Sequence, residues 1–397
     1  MKKIELLSPA GNFEKLKIAL LYGADAVYFG GRNYSLRANA KNFSLEEIKE
    51  ACNYAHSLNK KVYVTVNIVF HDEDTEGLKD YLIELEKCKV DAIIISDPFV
   101  IKVLKNNNIN IPFHISTQYS VANKEAVKFF SSLGAERVVL ARECSKEEIK
   151  EIIDETGVDI ETFVHGAMCA SYSGRCVLSN YFTNRDANRG GCSQICRWCF
   201  DLAEDDKIID NPTKFTMSSK DLNMTLALKE MIDIGISSLK VEGRMRSIYY
   251  IATVINTYRR AIDDCYNNNL TKEKIDEYNK ILNRVANRDS TVQFFDKLPG
   301  VSEQYFLGRN EISNQDYLAI VDNYDGNFVY LTVKNYFKTG DTIEFMSPDR
   351  STFSYVIPTI YDMDDNVLEC ANHPEDKVKF KLDKEVKEFD MMRIKIK

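Results

Sequence analysis

Five of the ten cysteines in the chain lie within residues 165–200, which we call the cysteine segment. They are Cys169, Cys176, Cys192, Cys196 and Cys199, with six, fifteen, three and two residues between them. Close pairs of thiols flanking a longer loop are typical of a metal centre with thiolate ligands. Sulfur-only ligation leaves structural zinc and an iron-sulfur cluster open. The alternative is buried free cysteine, but the clustering favours a metal.

Two other kinds of cysteine chemistry fit these residues less well. Cys192, Cys196 and Cys199 form a CxxxCxxC motif, as in radical S-adenosylmethionine enzymes, but there the motif normally follows the first strand of a barrel. Cys169 lies four residues after His165, as a peptidase pair would, although a ligand thiol supported by the histidine is the simpler interpretation. The sequence contains no HExxH, GxSxG, P-loop or GxGxxG motif, which argues against common hydrolases and nucleotide sites.

The composition bounds the class of protein. The chain has 397 residues, and 52 basic against 60 acidic side chains give a formal net charge of -8, which argues against a protein that binds nucleic acid over its whole surface. No apolar run has the length of a signal peptide core or a membrane span, so we expect a soluble, cytoplasmic protein. In that reducing compartment, clustered thiols indicate metal binding rather than disulfides.

Eight short apolar runs alternate with amphipathic helical stretches. The predicted strands are residues 4–7, 26–29, 62–67, 92–96, 113–116, 137–140, 160–164 and 239–242. Ser44 with Glu47, and Ser145 with Glu148, form capping boxes that place two of the intervening helices. Eight such units predict a TIM-like β/α barrel, with the cysteine segment inserted after strand seven.

The pattern changes after two further predicted helices, residues 247–266 and 272–286. We assign residues 1–290 to the barrel domain and residues 291–312, which contain Pro299, Gly300 and Gly308, to a linker. Residues 313–397 alternate apolar and polar side chains, with Asp325-Gly326 as a hairpin turn, and are predicted to form a small all-β barrel.

Polar and basic residues follow the predicted strands, where the active sites of such barrels lie. They are Asn67, Asp97, the run 116–118, Arg142 and the run 242–244. Residues 165–200 carry a net charge of +3 and residues 236–260 a net charge of +4, so we expect two basic stretches to flank one pocket. Arginine binds carboxylates and phosphates, and four aromatic residues of the cysteine segment are candidates to stack a base or an aromatic acid. These are Tyr172, Tyr181, Phe182 and Trp198.

Long motifs resemble the collagenase-like peptidase family, peptidase family U32. They are HGAMCASYSGRCVLSNYFTNRDANRGGCSQICRW from residue 165, SSKDL at 218–222, SLKVEGR at 238–244 and YRRAIDD at 258–264. LLSPAGN at 6–12 and DAVYFGG at 25–31 match as well, and the resemblance extends through the C-terminal β domain. Within the family, the chain is most similar to the branch that takes part in tRNA modification.

The resemblance implies cofactors, substrates and partners. It implies an iron-sulfur cluster, expected to be 4Fe-4S, on Cys169, Cys176, Cys192 and Cys196. Cys199 is an additional thiol at a position where relatives commonly have another residue, so it is an alternative for the fourth ligand. It also implies formation of 5-hydroxyuridine at the tRNA wobble position, with prephenate as co-substrate. The family name records collagenase-like peptidase activity, which stays an alternative, and a related protein of the family stays open as a partner subunit.

Candidate roles follow for individual residues. The catalytic candidates are His165, Tyr172 and Glu242. The substrate-binding candidates are Arg185, Asn188, Arg197, Lys220, Asp221 and Arg244. Four of these six are cations, which we expect to hold the two carboxylates of prephenate near the cluster. The arginine-rich segments, together with the β domain, are expected to contact tRNA.

Overall fold

A closed parallel barrel forms the larger part of the molecule. The computed structural model describes residues 3–36, 42–209, 214–285, 287–311, 313, 315–349 and 352–395. The barrel strands are β1 (Glu5–Pro9), β2 (Ala26–Gly30), β3 (Lys61–Val66), β4 (Ala92–Ile95), β5 (Phe113–Ile115), β6 (Arg137–Val139), β7 (Asp159–Gly166) and β8 (Ser238–Val241). Each strand pairs in parallel with the next, and β8 pairs with β1, which closes the barrel. The predicted TIM-like fold and all eight strands are confirmed.

Ten α-helices accompany the strands in the described chain. They are α1 (Phe13–Leu21), α2 (Leu45–Ser57), α3 (Leu78–Lys87), α4 (Pro98–Asn106), α5 (Lys124–Ser132), α6 (Lys146–Thr156), α7 (Leu178–Thr183), α8 (Leu228–Asp233), α9 (Ile248–Tyr266) and α10 (Lys272–Leu282). Both predicted capping boxes are present, because Ser44 and Ser145 accept from the backbone of Glu47 and Glu148. The helix predicted to reach residue 286 ends at Leu282, and Ala286 lies outside the described residues. None of the described helices has both the length and the apolar character needed to cross a membrane.

The lower half of the barrel interior contains paired charges, which we call the amino-end cluster. Its members are Glu5, Arg137, Glu161 and Lys240. Glu161 is fully buried and accepts from Lys240 Nζ at 2.7 Å and from Arg137 Nη1 at 3.1 Å. Arg137 Nη1 also donates to Glu5 at 2.6 Å. Each charge in this cluster therefore faces an opposite charge.

The C-terminal domain is an antiparallel half-barrel with its own apolar core. Its strands are Gln315–Tyr324, Phe328–Val333, Phe337–Lys338, Thr342–Met346, Phe353–Val356, Ile360–Tyr361, Val367–Leu368, Cys370–Ala371, Lys377–Lys381 and Met391–Lys395. The first two form the predicted hairpin, with Gly326 at φ +94° in its turn. The domain packs on the barrel, where Tyr249 stacks on Tyr317 with 5.4 Å between ring centroids.

Three short strands lie between β7 and β8, and a fourth follows α10. Ala203–Glu204 pairs with Lys207–Ile208 as a small hairpin. Asp221–Asn223, which the sequence pattern did not predict, pairs antiparallel with the end of β7 and parallel with Ser290–Thr291. It extends the sheet beyond the barrel wall and carries Asp221 to the carboxyl end.

Candidate functional site

The cysteine segment covers the carboxyl end of the barrel. It leaves β7 and forms short 3-10 turns at Tyr172–Gly174, Ala187–Arg189 and Ile195–Arg197, with α7 between the first two. Three loops after other strands hold it down. Arg189 is ion-paired with Asp74 of the loop after β3, Arg175 Nε donates to Gln118 O at 2.7 Å, and Ser173 Oγ donates to Glu143 at 2.6 Å. The segment therefore forms a lid that is anchored on both sides of the barrel mouth.

The four thiols implied as ligands lie in one electrostatic neighbourhood. Burial raises the pKa of Cys169, and the nearby thiols of Cys196 and Cys176 raise it further. Burial also raises the pKa of Cys196, as does Cys192. Cys199 is exposed and lies against Gly308, where a Cβ would come within 2.9 Å of its sulfur. Cys199 thus differs from the other four thiols in its exposure and in its packing against Gly308.

The surroundings of these thiols suit a thiolate-bound group. Among the described residues, no three His, Cys, Asp or Glu side chains lie close enough to share one metal ion. Backbone N–H groups nevertheless point at the sulfurs, since Leu178 N donates to Cys176 Sγ at 3.4 Å and Ala170 N donates to Cys196 Sγ. The Arg197 guanidinium acts on Cys196 to lower its pKa, which favours the thiolate that a metal needs. Hydrogen bonds to sulfur and nearby cations are features of iron-sulfur sites, so the donor set fits such a group.

Asn188 holds the loop that carries Cys176. Its Nδ2 donates to Cys176 O at 3.0 Å and its Oδ1 accepts from Cys176 N at 3.3 Å, so both ends of the amide are engaged. Its own carbonyl accepts from Val69 N at 3.1 Å, which ties the turn to the loop after β3. Although the sequence suggested contact with substrate, the structure places Asn188 as a support for a thiol.

A second group of charges, the carboxyl-end cluster, lies beside the cysteine segment. It consists of Asp221, Arg246, Arg288 and Glu311. Arg288 is fully buried, is ion-paired with Asp221, and donates to Ser218 Oγ at 2.7 Å. Arg246 pairs with Glu311 and stacks over the ring of Tyr250 at 5.0 Å. Asp221 was a candidate from the sequence and Arg246 belongs to the basic stretch 236–260, whereas Arg288 was found only once the fold placed it next to Asp221.

Arg197 differs from these arginines because none of the described carboxylates forms an ion pair with it. Its Nε, like that of Arg288, is buried without a hydrogen-bond partner, but within the described chain its guanidinium makes no ion pair. Burial and the nearby Arg288 lower its pKa, while Asp221 and Cys196 act in the opposite direction. A buried cation of this kind, next to a thiol, is suited to receive an anionic ligand.

The other predicted cations have different surroundings. Arg244 is buried and donates to Ser35 Oγ at 3.1 Å and to Asn42 Oδ1 at 2.6 Å, so it orders the loop after β2. Lys220 lines a separate cavity of about 280 Å³, together with Tyr305. Arg185 is exposed on the lid. Arg244 is therefore engaged by the loop after β2, and the convergence of the other three cations on one pocket stays a prediction.

The basic stretch 236–260 is also divided. Lys240 points into the barrel and Arg246 lies at the carboxyl end, but Arg259 pairs with Asp25 and Asp263. Helix α9 begins after β8 and runs back along the barrel, so eleven residues of helix carry Arg259 about 17 Å away from its start. The expectation that this whole stretch flanks the pocket is wrong for its last two arginines.

The three catalytic candidates occupy different environments. His165 is buried between Tyr250 and Tyr258, with Nδ1 3.4 Å from Tyr258 Oη, and burial together with Arg246 lowers its pKa to about 3. Its imidazole ring therefore lies against two tyrosines. Tyr172 is 52% exposed on the lid, and Glu242 is half-buried at the end of β8, where Tyr28 Oη lies 3.4 Å from its carboxylate. Of the three, Glu242 is the carboxylate at the barrel mouth.

Comparisons with known proteins agree with this arrangement. The chain matches the family described as Peptidase family U32 over residues 11–305 and the Peptidase family U32 C-terminal domain over residues 313–393. A Bacillus subtilis protein named tRNA hydroxylation protein P1 is 47% identical over 99% of this chain and 95% of its own length. An Escherichia coli protein named tRNA hydroxylation protein P is 34% identical over 88% of this chain and 87% of its own. A Porphyromonas gingivalis protein named collagenase is 34% identical over 77% and 74%. The chain belongs to peptidase family U32.

Proposed function

We propose that this protein hydroxylates the C5 position of the wobble uridine in tRNA, with prephenate as co-substrate and an iron-sulfur cluster on Cys169, Cys176, Cys192 and Cys196. The observation that carries the proposal is the near full-length similarity to two proteins named for tRNA hydroxylation. The lid of thiols over the mouth of the barrel supports it, because that end of the fold is where barrel enzymes perform their chemistry.

Each part of the lid has a role in this proposal. The four thiolates would hold the cluster, which supplies a one-electron redox centre when bound and ties together the loops that carry them. Asn188 fixes the turn at Cys176, so that its sulfur keeps its direction. The carboxyl-end cluster anchors the strand Asp221–Asn223 beside β7 and leaves Arg197 as the cation available to a carboxylate. Glu242 is the group at the mouth that can hold a proton.

Prephenate carries two carboxylates, and a dianion enters a protein only where cations replace its hydration. Arg197 offers two-pronged hydrogen bonding to one carboxylate. We assign that contact to Arg197 rather than to Arg244, because Arg244 is already bound to the loop after β2. The second carboxylate would face the exposed side of the site, where water shares its charge.

The first test of the proposed function is made in cells. Deletion of the gene should lower 5-hydroxyuridine and its derivatives in tRNA, measured by mass spectrometry of nucleosides, and wild-type protein but not Cys169→Ala should restore them. A peptidase would leave these nucleosides unchanged, and cleavage of collagen-like substrate would then be the activity to assay. An unchanged profile in a strain without a second related protein would refute the hydroxylation proposal.

The cofactor has its own measurement. Protein purified without oxygen should contain about four irons and four labile sulfides per chain. Alanine at any of the four ligand positions should abolish this content, whereas Cys199→Ala should retain it, because Cys199 is exposed and packs against Gly308. Zinc in place of iron would refute the cluster, and loss with Cys199→Ala but not with Cys196→Ala would move the fourth ligand to Cys199.

A further inference from the structure

The outer face of the lid exposes aromatic side chains. Tyr181 and Phe182 of α7 are 83% and 52% exposed. Trp198 and Phe200, which follow the last 3-10 turn of the segment, lie against Phe182. We call these four residues the aromatic ladder. Apolar groups gathered on the surface usually mark a contact with a partner.

Three of the four rings of the ladder, those of Phe182, Trp198 and Phe200, pack on one another. Phe182 meets Trp198 and Phe200 edge to face, with centroid distances of 6.3 and 5.8 Å. Phe200 forms a backbone bridge with Phe215, so the chain that returns from the hairpin supports the ladder from below. Rings fixed in this way lose little conformational entropy when a flat ligand stacks on them.

Exposed cations flank the ladder. Arg309 lies over the ring of Trp198 at 5.5 Å and donates to Ser193 O, and Arg185 lies two residues after the end of α7. Arg175, also exposed, lies on the same segment. A chain with a net charge of -8 thus places Arg309 on the ladder and exposes Arg185 and Arg175 on the segment that carries it.

An acidic hairpin limits this surface on one side. The hairpin between Phe200 and Phe215 exposes Glu204, Asp205 and Asp206. These carboxylates would repel phosphate, so a polyanion is disfavoured next to the hairpin.

We propose that the aromatic ladder with Arg185 and Arg309 receives single-stranded RNA, with unstacked bases on the rings and phosphates on the guanidinium groups. Stacking of bases on aromatic side chains within a positive frame is how single strands are bound, whereas duplex RNA keeps its bases inside. The charge frame favours RNA over an apolar protein partner. The inference rests on the proposed function, in which the substrate uridine lies in a single-stranded loop, and it assigns the surface that brings this loop to the barrel mouth.

The single tryptophan of the chain makes the test direct. Fluorescence of Trp198 should be quenched when a single-stranded seven-nucleotide RNA is titrated into the purified protein without prephenate, and a duplex of the same sequence should bind at least tenfold more weakly. Tyr181→Ala, an exposed change that should not disturb folding, is expected to weaken binding by about tenfold, the effect of losing one stacked base.

Matched controls lie elsewhere on the chain. Phe129, on α5, is 57% exposed and touches a neighbouring ring edge to face, so Phe129→Ala tests whether any exposed ring suffices. Arg260 lies over Tyr278 at 5.9 Å, much as Arg309 lies over Trp198. Arg309→Gln should reduce the salt dependence of binding by about one phosphate contact, and Arg260→Gln should leave it unchanged.

The outcomes separate this inference from the proposed function. Normal RNA affinity in both Tyr181→Ala and Arg309→Gln would overturn the ladder, even if tRNA hydroxylation depends on the protein. Equal binding of single-stranded and duplex RNA would overturn it as well. Weakened binding in these variants, in a protein that leaves 5-hydroxyuridine unaffected, would support the ladder and refute the proposed function. Quenching by an apolar peptide but not by RNA would assign the surface to a protein partner and overturn the inference.

Discussion

At the amino end of the barrel Arg137 lies between two carboxylates, whereas at the carboxyl end Arg197 lies beside a thiol and near Arg288. The amino-end cluster contains two cations and two carboxylates. At the carboxyl end Arg246 pairs with Glu311 and Arg288 with Asp221, whereas no described carboxylate forms an ion pair with Arg197. Buried charges that are paired with each other serve the fold, whereas a buried cation without a paired carboxylate is suited to bind an anionic ligand.

A choice of functional site by cavity size alone would have selected the amino end of the barrel. The cavity at the amino end, lined by residues that include Tyr63 and His114, measures about 450 Å³, against about 280 Å³ for the cavity at Lys220. The charges at the amino end are nevertheless committed to each other, and that end of a barrel generally serves stability. The state of the charges distinguishes the two ends better than their volume does.

The largest expected effect is on the amino end, where the buried charges are paired. Glu161→Gln should lower the free energy of unfolding by about 3–5 kcal/mol, because Lys240 would stay buried without a carboxylate. Urea denaturation measures the change. The double variant Glu161→Gln with Lys240→Met should regain much of the loss, since it removes both charges.

Glu311→Gln supplies the contrast at the other end, because Arg246 keeps Asp221 nearby and Glu311 is partly exposed. Its cost should be about 1 kcal/mol. If Glu311→Gln were as damaging as Glu161→Gln, the distinction between the two ends would not hold.

The strands of the barrel and the place of the cysteine segment could be predicted from the sequence, but the partners of the buried charges could not, and the reason is physical. Runs of branched apolar residues predicted all eight strands, because buried parallel strands need apolar side chains on both faces. The motif order also placed the cysteine segment after β7. The partners of Glu161 lie 24 and 79 positions away, and only barrel closure brings them together. The prediction for the basic stretch 236–260 was wrong for a related reason, because the direction of α9 separates Arg259 from Arg246.

The second prediction concerns pH, to which both ends contribute. Burial, with Arg137 near His114 and Arg246 near His165, lowers the pKa of each histidine to about 3 from the ordinary 6.5. Between these pKa values, the unfolded chain therefore binds two protons that the folded chain does not bind. This contribution is complete above pH 6.5 and is lost as the pH falls, by about 2.5 kcal/mol per pH unit between about pH 6 and pH 5.

Urea denaturation across that range measures the slope. His114→Phe and His165→Phe should each reduce the slope by about half, whatever their effect on stability at neutral pH. If the pH dependence of the unfolding free energy is unchanged in the double variant, other groups are responsible for it. If only one of the single variants reduces the slope, only that histidine has a lowered pKa in the folded protein.

The third prediction addresses Arg197, the buried cation without a paired carboxylate. Arg197→Met should leave the free energy of unfolding within about 1 kcal/mol of the wild type, because no ion pair is broken. It should raise the concentration of prephenate needed for hydroxylation about 30-fold, which corresponds to about 2 kcal/mol for charged hydrogen bonds. Arg197→Lys should recover part of the affinity through its charge. A strong loss of stability in Arg197→Met would instead make Arg197 a structural residue like Arg137.

The smallest expected effect concerns the support of the thiols. Asn188→Ala removes two hydrogen bonds to the backbone of Cys176, and because both are partly exposed the cost should be about 1 kcal/mol. The matched variant Asn180→Ala, on the exposed face of α7, should cost almost nothing. The informative measurement is the rate at which iron is released to a chelator. That rate should rise several-fold in Asn188→Ala and stay unchanged in Asn180→Ala, since only Asn188 fixes a turn that carries a ligand. Equal rates in both variants would mean that the sulfur of Cys176 keeps its position without this amide, and that the lid, like the amino end, is held chiefly by its ion pairs.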